Sequence, residues 1–421
     1  MRHCLSGPGL SGLAAVVLLG GAVSAAAPFS DPASARLFVA SVAPLPVPPP
    51  SPPFTAYALQ IPADEHKTLP IGARAPDFSL QGVDGRTYTL SSFNGSAILV
   101  IVFTCDHCPT AQAYEDRVIQ LTKDYKDKGV AVVAIMPNDP GSVNLDELGY
   151  TDLGDSYEEM KIRASEKNYN FPYLYDGQTE STAKAYGPVA TPHVFIFDKD
   201  RKLRYQGRID DVEKPGKVPH TFDARNAIDA LLGGREVAVP TTKVFGCSIK
   251  WAEKGGWVER SKIEWAKEPV KLDRLDVPGI RELLANKTDK LLLLTIWSAS
   301  GEASLNELPE FITINRMYRK RDFGLVTIST DGTAGMDKAL QILQKAQASC
   351  TNYITDGGTL SNGNGGGSPL VEAVDPHWQG GLPYTLLVEP GGKIVYSRQG
   401  LIDPRMLKKT IVDNRLIGRY Y

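Results

Sequence analysis

The chain has two cysteines three positions apart, in the segment Thr104-Cys105-Asp106-His107-Cys108-Pro109. Two thiols at this spacing can exchange with the disulfide of another molecule. One sulfur, as a thiolate, forms a mixed disulfide with that partner, and the second sulfur then displaces the partner and closes a disulfide within the pair. A continuous apolar run, 97–103, precedes the pair and a helical pattern follows it, so a buried strand passes to a helix here. Because a helix N-terminus stabilises a thiolate, we predict that Cys105 is exposed and attacks and that Cys108 resolves the mixed disulfide.

The neighbours of the pair modify this prediction. A protonated His107 lowers the pKa of Cys105, whereas Asp106 raises it by like-charge repulsion, and their net effect stays open. Zinc binding and a purely structural disulfide are alternatives. Zinc normally takes a second cysteine pair or two histidines, and the six histidines of the chain form no close pair. We predict neither a metal nor a cofactor.

The elements around the pair follow an α/β order. Short strands are predicted at 78–80 and 88–90, and a helix after the cysteines ends at Gly129. A strand follows at 130–136. Further on, Thr191-Pro192 precedes a hairpin of two strands, 194–197 and 203–206, and then a helix, 221–232. This order predicts a mixed sheet with flanking helices.

The second half repeats the plan. Strands are predicted at 290–296, 323–328, 385–388 and 394–397, and helices at 305–319 and 404–414. Segments 190–210 and 381–403 share one order: proline, apolar strand, turn with lysine, second strand, glycine, Ile-Asp. We predict a tandem duplication of one α/β unit. Chance similarity of two unrelated α/β domains is the alternative.

Three segments together resemble a known family: Ala73-Pro-Asp-Phe-Ser-Leu80, Phe103-Thr-Cys-Asp-His-Cys-Pro109 and Thr191-Pro192. They are similar to the thioredoxin-like redoxin family, in the superfamily of alkyl hydroperoxide reductases and thiol-specific antioxidants. The resemblance covers about 73–251. It implies that Cys105 and Cys108 are the active-site cysteines, and that Thr191 and Pro192, the latter typically cis, shape a substrate groove.

The resemblance implies a thiol–disulfide oxidoreductase with two tandem thioredoxin-like domains. Its expected partners are thiol or disulfide proteins or an electron-donor redox protein. In the second half, alignment through Trp297 and Pro309 puts Gly301 and Ser304 at the cysteine positions. We therefore expect the second domain to lack thiol exchange and to bind or dock through the groove at Pro383.

Two other activities stay open. A peroxiredoxin-like peroxidase is one, but aligning Cys108 with the attacking cysteine of peroxiredoxins puts Cys105 and Ile101 where that family has threonine and proline. Disulfide exchange is therefore preferred. A copper-binding chaperone of this fold is the other. Such chaperones space their cysteines one residue further apart, and His193 is the candidate third ligand.

Two further cysteines lie outside the pair. Cys247, in Gly246-Cys-Ser-Ile-Lys-Trp251, is a possible relay that passes electrons or resolves a sulfenic acid. A lone thiol in a structural tail is the alternative. Cys350 is expected to be a small buried hydrophobic residue.

Composition and the chain ends set the context. A net charge of -2 and a pI near 6.3 give no basic field for nucleic acid. Residues 1–26, with a basic start and an apolar run, predict a signal peptide, hence a secreted or periplasmic protein without stable membrane insertion after cleavage. The predicted domains are a proline-rich linker (27–66), a redox-active domain (67–251), a connector (252–270) and a second domain (271–421). The glycine-rich segment 356–368 predicts a mobile loop.

Overall fold

Two mixed β-sheets flanked by helices make up the part of the chain that the computed structural model describes, residues 66–212, 217–356 and 368–418. The predicted signal peptide, nearly all of the predicted linker and most of the predicted glycine-rich loop lie outside the described residues. The predicted α/β class with two mixed sheets is confirmed.

The first sheet carries the cysteine pair. Its strands are β1 (Ser79–Gly82), β2 (Thr87–Thr89), β3 (Ile98–Phe103), β4 (Val130–Met136), β5 (Tyr173–Tyr175), β6 (His193–Phe197) and β7 (Leu203–Gly207). The helices of this half are α1 (Pro109–Tyr125), α2 (Tyr157–Lys167), α3 (Ser181–Tyr186), α4 (Asp223–Leu232) and α5 (Gly256–Ala266). The strand order is β2-β1-β5-β4-β3-β6-β7, with β3, β4 and β5 parallel and β6 antiparallel to β3.

Strand β3 shows why its sequence is apolar throughout. All six of its residues are buried. Alternate side chains enter two separate core clusters, Ile98, Val100 and Val102 on one face and Leu99, Ile101 and Phe103 on the other. A strand with helices on both faces needs apolar residues at every position. The strand therefore fixes the loop that follows it, which holds the cysteines.

The second sheet repeats the central arrangement of the first. Its strands are β8 (Asp273–Arg274), β9 (Leu291–Trp297), β10 (Phe323–Ser329), β11 (Thr351–Ile354), β12 (Tyr384–Glu389) and β13 (Lys393–Gln399). The helices of this half are α6 (Val277–Leu284), α7 (Glu302–Tyr318), α8 (Met336–Lys345), α9 (Pro369–Val374) and α10 (Pro404–Asp413). The order is β13-β12-β9-β10-β11-β8. The run from β13 to β11 matches β7-β6-β3-β4-β5 in order and direction.

The two sheets belong to one compact unit, Asp64–Tyr421. Tyr318, on α7, donates a hydrogen bond to the carbonyl oxygen of Thr151 at 2.7 Å, and that carbonyl belongs to the first half. Arg405 and Glu166 form an ion pair between the same halves. The division into domains at 67–251, 252–270 and 271–421 stays a prediction.

Several elements were not predicted from the sequence. They include α2, β5 and α3 in the first half, α5 inside the predicted connector, and α6, β8, α8 and α9 in the second half. Of these, β5, β8, α3 and α9 are six residues long or shorter, which leaves too few residues for a clear periodic pattern. None of the helices in the described residues combines the length and the apolar character that crossing a bilayer requires.

Candidate active site

The cysteine pair lies where β3 passes to α1. Cys108 is the N-cap residue of α1, with extended backbone angles, and Pro109 occupies the first helical position. A proline there loses no helical hydrogen bond, because that N–H has no partner within the helix. Cys105 is 2% exposed and Cys108 is fully buried. The strand-to-helix placement of the pair agrees with the prediction, whereas the predicted exposure of Cys105 is wrong.

The two sulfurs contact each other and the segment before β6. Both cysteines are free thiols in the structure, and the Cys105 side chain hydrogen-bonds Cys108. Cys105 Sγ lies 3.0 Å from Thr191 Oγ1, and Cys108 Sγ lies 3.5 Å from the Thr191 carbonyl oxygen. The Thr191–Pro192 peptide bond is cis. Thr191 and Pro192 thus lie beside the pair, and their role as a substrate groove stays a prediction.

The electrostatics separate the two thiols. Burial raises the pKa of Cys105 well above its ordinary value, and its hydrogen bond to Cys108 acts in the same direction. Burial also opposes ionisation of Cys108. However, hydrogen bonds from Cys105, Cys247 and the Ala111 backbone N–H, together with the charge of His107, hold the pKa of Cys108 well below its ordinary value. The surroundings of the pair therefore favour ionisation of Cys108 over ionisation of Cys105. The roles of Cys105 as attacking cysteine and Cys108 as resolving cysteine stay predictions.

A buried carboxylate that the sequence analysis missed holds the loop between the cysteines. Asp155 Oδ1 accepts hydrogen bonds from the backbone N–H groups of Asp106 and His107, each at 3.0 Å. Its other oxygen lies 2.5 Å from His107 Nδ1 and accepts a bond from Asn138 Nδ2 at 2.7 Å. The only local signal is the capping box of Ser156 and Glu159, which begins α2 directly after Asp155.

His107 and Asp155 form a buried ion pair. Burial lowers the pKa of His107, but the charge and hydrogen bond of Asp155 outweigh it, so the net shift is upward. Burial raises the pKa of Asp155, but the charge and hydrogen bonds of His107 bring it below its ordinary value. A protonated imidazole is thereby kept beside Cys108. His107 thus favours the thiolate of Cys108, whereas the prediction had it acting on Cys105.

Asp106 repels a neighbouring thiolate less than a charged aspartate would. The residue is 1% exposed, and Tyr173 donates a hydrogen bond to its Oδ1 at 3.0 Å. Burial and the nearby charge of Asp155 raise the pKa of Asp106 well above its ordinary value. A raised pKa disfavours the charged form of this carboxyl group and so reduces its repulsion of a neighbouring thiolate.

Among the described residues, one group has the composition of a metal site: ligand atoms of Cys105, His107 and Asp155 lie within 4.8 Å of one another. Both oxygens of Asp155 already accept hydrogen bonds, one of them from His107. The arrangement therefore has the features of an ion pair. His193, the candidate copper ligand, accepts from the Val189 N–H at Nδ1 and lies 3.0 Å from Gln206 Oε1 at Nε2. Neither nitrogen of His193 is free to join the cysteines.

Cys247 lies against the pair although it is far from it in the sequence. Its thiol hydrogen-bonds Cys108, and its carbonyl oxygen accepts from the Thr191 N–H at 2.9 Å. Unlike the other two sulfurs, Cys247 is partly exposed. The role of Cys247 as a relay stays a prediction. Cys350, in the second half, packs against the core cluster there as expected of a small hydrophobic residue, although it is only partly buried.

The second sheet has a corresponding strand-to-helix junction. His193, which follows Pro192, pairs with Phe103, and Tyr384, which follows Pro383, pairs with Ile296. By this register the positions of Cys105 and Cys108 correspond to Ser298 and Gly301. Gly301 is the N-cap of α7, as Cys108 is of α1. The predicted equivalence of the cysteines with Gly301 and Ser304 is therefore shifted by one helical turn, because the sequence alignment relied on Trp297 and Pro309 without the strand register.

Comparisons with known proteins find similarity over part of the chain. Residues 71–206 match the model of the AhpC/TSA family. The chain is 23% identical over 142 residues to thiol-disulfide oxidoreductase ResA of Geobacillus thermodenitrificans, covering 33% of this chain and 70% of the relative. Two solved structures cover 44% of this chain. An uncharacterized conserved protein from Geobacillus kaustophilus is 41% identical over 94% of its length (TM-score 0.40), and a hypothetical protein from Sinorhizobium meliloti 1021 is 34% identical over 97% (TM-score 0.40).

Proposed function

Since the chain belongs to the AhpC/TSA (redoxin) family through residues 71–206, we propose that it is a thiol–disulfide oxidoreductase whose reactive pair is Cys105 and Cys108. The observation that carries this proposal is the set of groups around Cys108. Two thiols, one backbone N–H at the start of a helix and one charged imidazole all favour a thiolate on that sulfur. A thiolate is the reactive form in disulfide exchange.

The net reaction uses both sulfurs. In the reducing direction the pair gives up two electrons, and a disulfide bond forms between Cys105 and Cys108. The Cys105 thiol supplies one proton and the solvent supplies the second, because Cys108 reacts as a thiolate. The disulfide of a partner protein breaks and takes up the same electrons and protons as two thiols. In the oxidising direction the same bonds form and break in reverse. The partners are therefore thiol or disulfide proteins, or a redox protein that supplies electrons.

Insulin reduction tests this proposal. The reduced wild-type chain, supplied with dithiothreitol, is expected to accelerate insulin reduction above the uncatalysed rate, and Cys108→Ser to lose that acceleration. Cys350→Ser is the matched control, because it removes a partly exposed cysteine that lies in the second half. Equal rates for wild type and Cys108→Ser would contradict the proposal.

A peroxidase is the second candidate, and one observation favours it. The surroundings favour ionisation of Cys108, the cysteine that the sequence alignment places at the attacking position of peroxiredoxins. The positions that hold threonine and proline in peroxiredoxins are Cys105 and Ile101, and Ile101 is fully buried in the core. Hydroperoxide consumption coupled to a thiol donor distinguishes the two functions. Rapid, stoichiometric consumption together with no insulin reduction would favour the peroxidase.

We also propose that the protein acts outside the cytosol, in a secreted or periplasmic form. The basic and apolar start of the chain supports this, and disulfide chemistry persists in such compartments. N-terminal sequencing of the protein recovered from the extracytoplasmic fraction tests it. A mature chain that begins near 27 is expected, and recovery only in the cytosol with Met1 retained would contradict it.

A further inference from the structure

The reactive pair is buried, and a third cysteine, which is partly exposed, packs against it. Cys105 is 2% exposed and Cys108 is 0% exposed, so a folded protein disulfide has little access to either sulfur. Cys247 is partly exposed and packs against the core cluster that contains both cysteines, with a side-chain hydrogen bond to Cys108. Cys108 thus has two thiol neighbours, the buried Cys105 and the partly exposed Cys247.

The segment that carries Cys247 is held against the pair by specific contacts. Residues Thr191 and Cys247 form an isolated antiparallel bridge. Gly246 has a φ of +137°, and a Cβ there would lie 2.0 Å from the Thr191 carbonyl oxygen. Only a residue without a side chain permits so close an approach.

A second anchor fixes the other end of this segment. The backbone N–H of Lys250 donates to Asn138 Oδ1 at 2.9 Å, and its carbonyl oxygen accepts from the Asp139 N–H at 2.9 Å. Asn138 also donates to Asp155, the carboxylate that holds the loop between Cys105 and Cys108. One buried side chain therefore aligns the Cys247 segment with the reactive pair.

We propose that Cys247 is the point of access to the buried pair, so that exchange with protein disulfides runs through three sulfurs in the order Cys247, Cys108, Cys105. This inference rests on the proposed function and deepens it. Cys247 is the member of this set that solvent reaches, and Cys108 is the member that both other thiols contact.

The exchange steps balance. Cys247 loses its proton to the Cys108 thiolate as its sulfur attacks a partner disulfide, and one partner thiolate leaves and is protonated. Cys108 returns to the thiolate and attacks Cys247 Sγ, which releases the second partner thiolate and forms a Cys108–Cys247 disulfide. Cys105 then loses its proton and attacks Cys108 Sγ. The Cys105–Cys108 disulfide forms and Cys247 leaves as a thiolate, which takes a proton from the solvent. The partner has then received two electrons, one proton that came from Cys247 by way of Cys108, and one proton from Cys105.

Trapping of the middle disulfide tests the order. Without the last attacking sulfur, Cys105→Ser is expected to accumulate a Cys108–Cys247 disulfide when it is mixed with oxidised insulin. Trypsin converts this species into one linked pair, residues 87–117 with 244–250, which mass spectrometry detects. The double variant Cys105→Ser/Cys350→Ser is the control and should give the same linked pair. Failure to form that pair, or linkage of insulin to Cys108 alone, would overturn the relay.

Kinetics separate the failure of this inference from failure of the proposed function. Cys247→Ser is expected to slow insulin reduction by about tenfold or more, since the thiol exposed to the partner is lost, while diamide still oxidises its Cys105–Cys108 pair. Cys350→Ser should retain the wild-type rate. A wild-type rate for Cys247→Ser, with Cys108→Ser inactive, would overturn the relay alone. An inactive wild-type chain would instead overturn the proposed function.

A variant that displaces the segment carrying Cys247 but keeps its thiol gives a second test of the relay. Gly246→Ala introduces the Cβ that meets the Thr191 carbonyl oxygen, so it should slow insulin reduction towards the Cys247→Ser rate. Gly234→Ala is the matched control, because Gly234 also has a positive φ, +68°, but has no atom within 4 Å of an added Cβ. Equal insulin reduction by these two variants would count against the relay.

Discussion

The two strand-to-helix junctions of this chain share a backbone plan but differ in their chemistry. In the first, Cys105-Asp106-His107-Cys108 leads into α1, and Asp155 accepts the backbone N–H groups of the loop. In the second, Ser298-Ala299-Ser300-Gly301 leads into α7. There, Asp331 accepts the Ala299 N–H at 2.7 Å and the Ser298 hydroxyl at 2.8 Å.

The comparison separates what the backbone supplies from what side chains add. Each junction has a helix N-terminus and a carboxylate that orders the loop. Only the first places a sulfur at the N-cap and a charged imidazole beside it. The backbone therefore provides a site for a negative group, and redox chemistry depends on the few side chains that occupy it.

The largest expected effect comes from removing both cysteines of the first junction. The double variant Cys105→Ser/Cys108→Ser should reduce insulin only at the background rate, because Ser298 and Gly301 offer no sulfur. The assay compares this variant with the wild type and with Cys350→Ser. Residual catalysed reduction by the double variant would show that the second half carries redox chemistry of its own.

The two carboxylates should differ in what they contribute to stability. Asp155→Asn breaks a buried ion pair and is expected to lower the free energy of unfolding by about 3–5 kcal/mol. Asp331→Asn removes hydrogen bonds from a partly exposed group, which contribute about 1 kcal/mol. Urea unfolding of the two variants measures the difference. Equal losses would mean that the charge of His107 adds nothing to the first junction.

The difference between wild type and Asp155→Asn should depend on pH. The pKa of His107 is raised above 6.5, so its contribution is complete below pH 6.5 and is lost as the pH rises through the folded value. The pKa of Asp155 is lowered below 3.8, so its contribution is complete above pH 3.8 and is lost as the pH falls through the folded value. Unfolding measured across this range should give the largest difference between pH 3.8 and 6.5. A difference that grows steadily at alkaline pH would contradict the assignment of the ion pair.

The smallest effect is expected from adding cysteines to the second junction. Ser298→Cys/Gly301→Cys should change the free energy of unfolding by no more than about 1 kcal/mol, since the atom nearest to an added Cβ at Gly301 is the Ser304 hydroxyl, at 3.2 Å. The pair should form an internal disulfide in a glutathione buffer, which thiol counting detects. Gly301→Cys/Ser304→Cys is the matched alternative. Preferential disulfide formation by that alternative pair would restore the equivalence predicted from the sequence.

Much of the first junction could be predicted because its signals are local. The buried strand, the cysteine spacing and the proline at the first helical position are adjacent in the chain, and each has a direct structural meaning. The same local reasoning missed α2, which begins beside Asp155. It also misaligned the second junction, because register is a property of paired strands and not of one segment.

The sequence by itself determined the position of the cysteine pair, since a continuous apolar strand followed by a helical pattern puts the loop that holds the pair at the strand-to-helix junction. The tertiary structure alone decided which sulfur ionises. Burial, Asp155 acting through His107, and Cys247 act on Cys108 from segments distant in the chain, and electrostatic energies depend on distance and solvent exclusion. Those quantities exist only once the sheet and the segment from Phe245 to Lys250 have packed together.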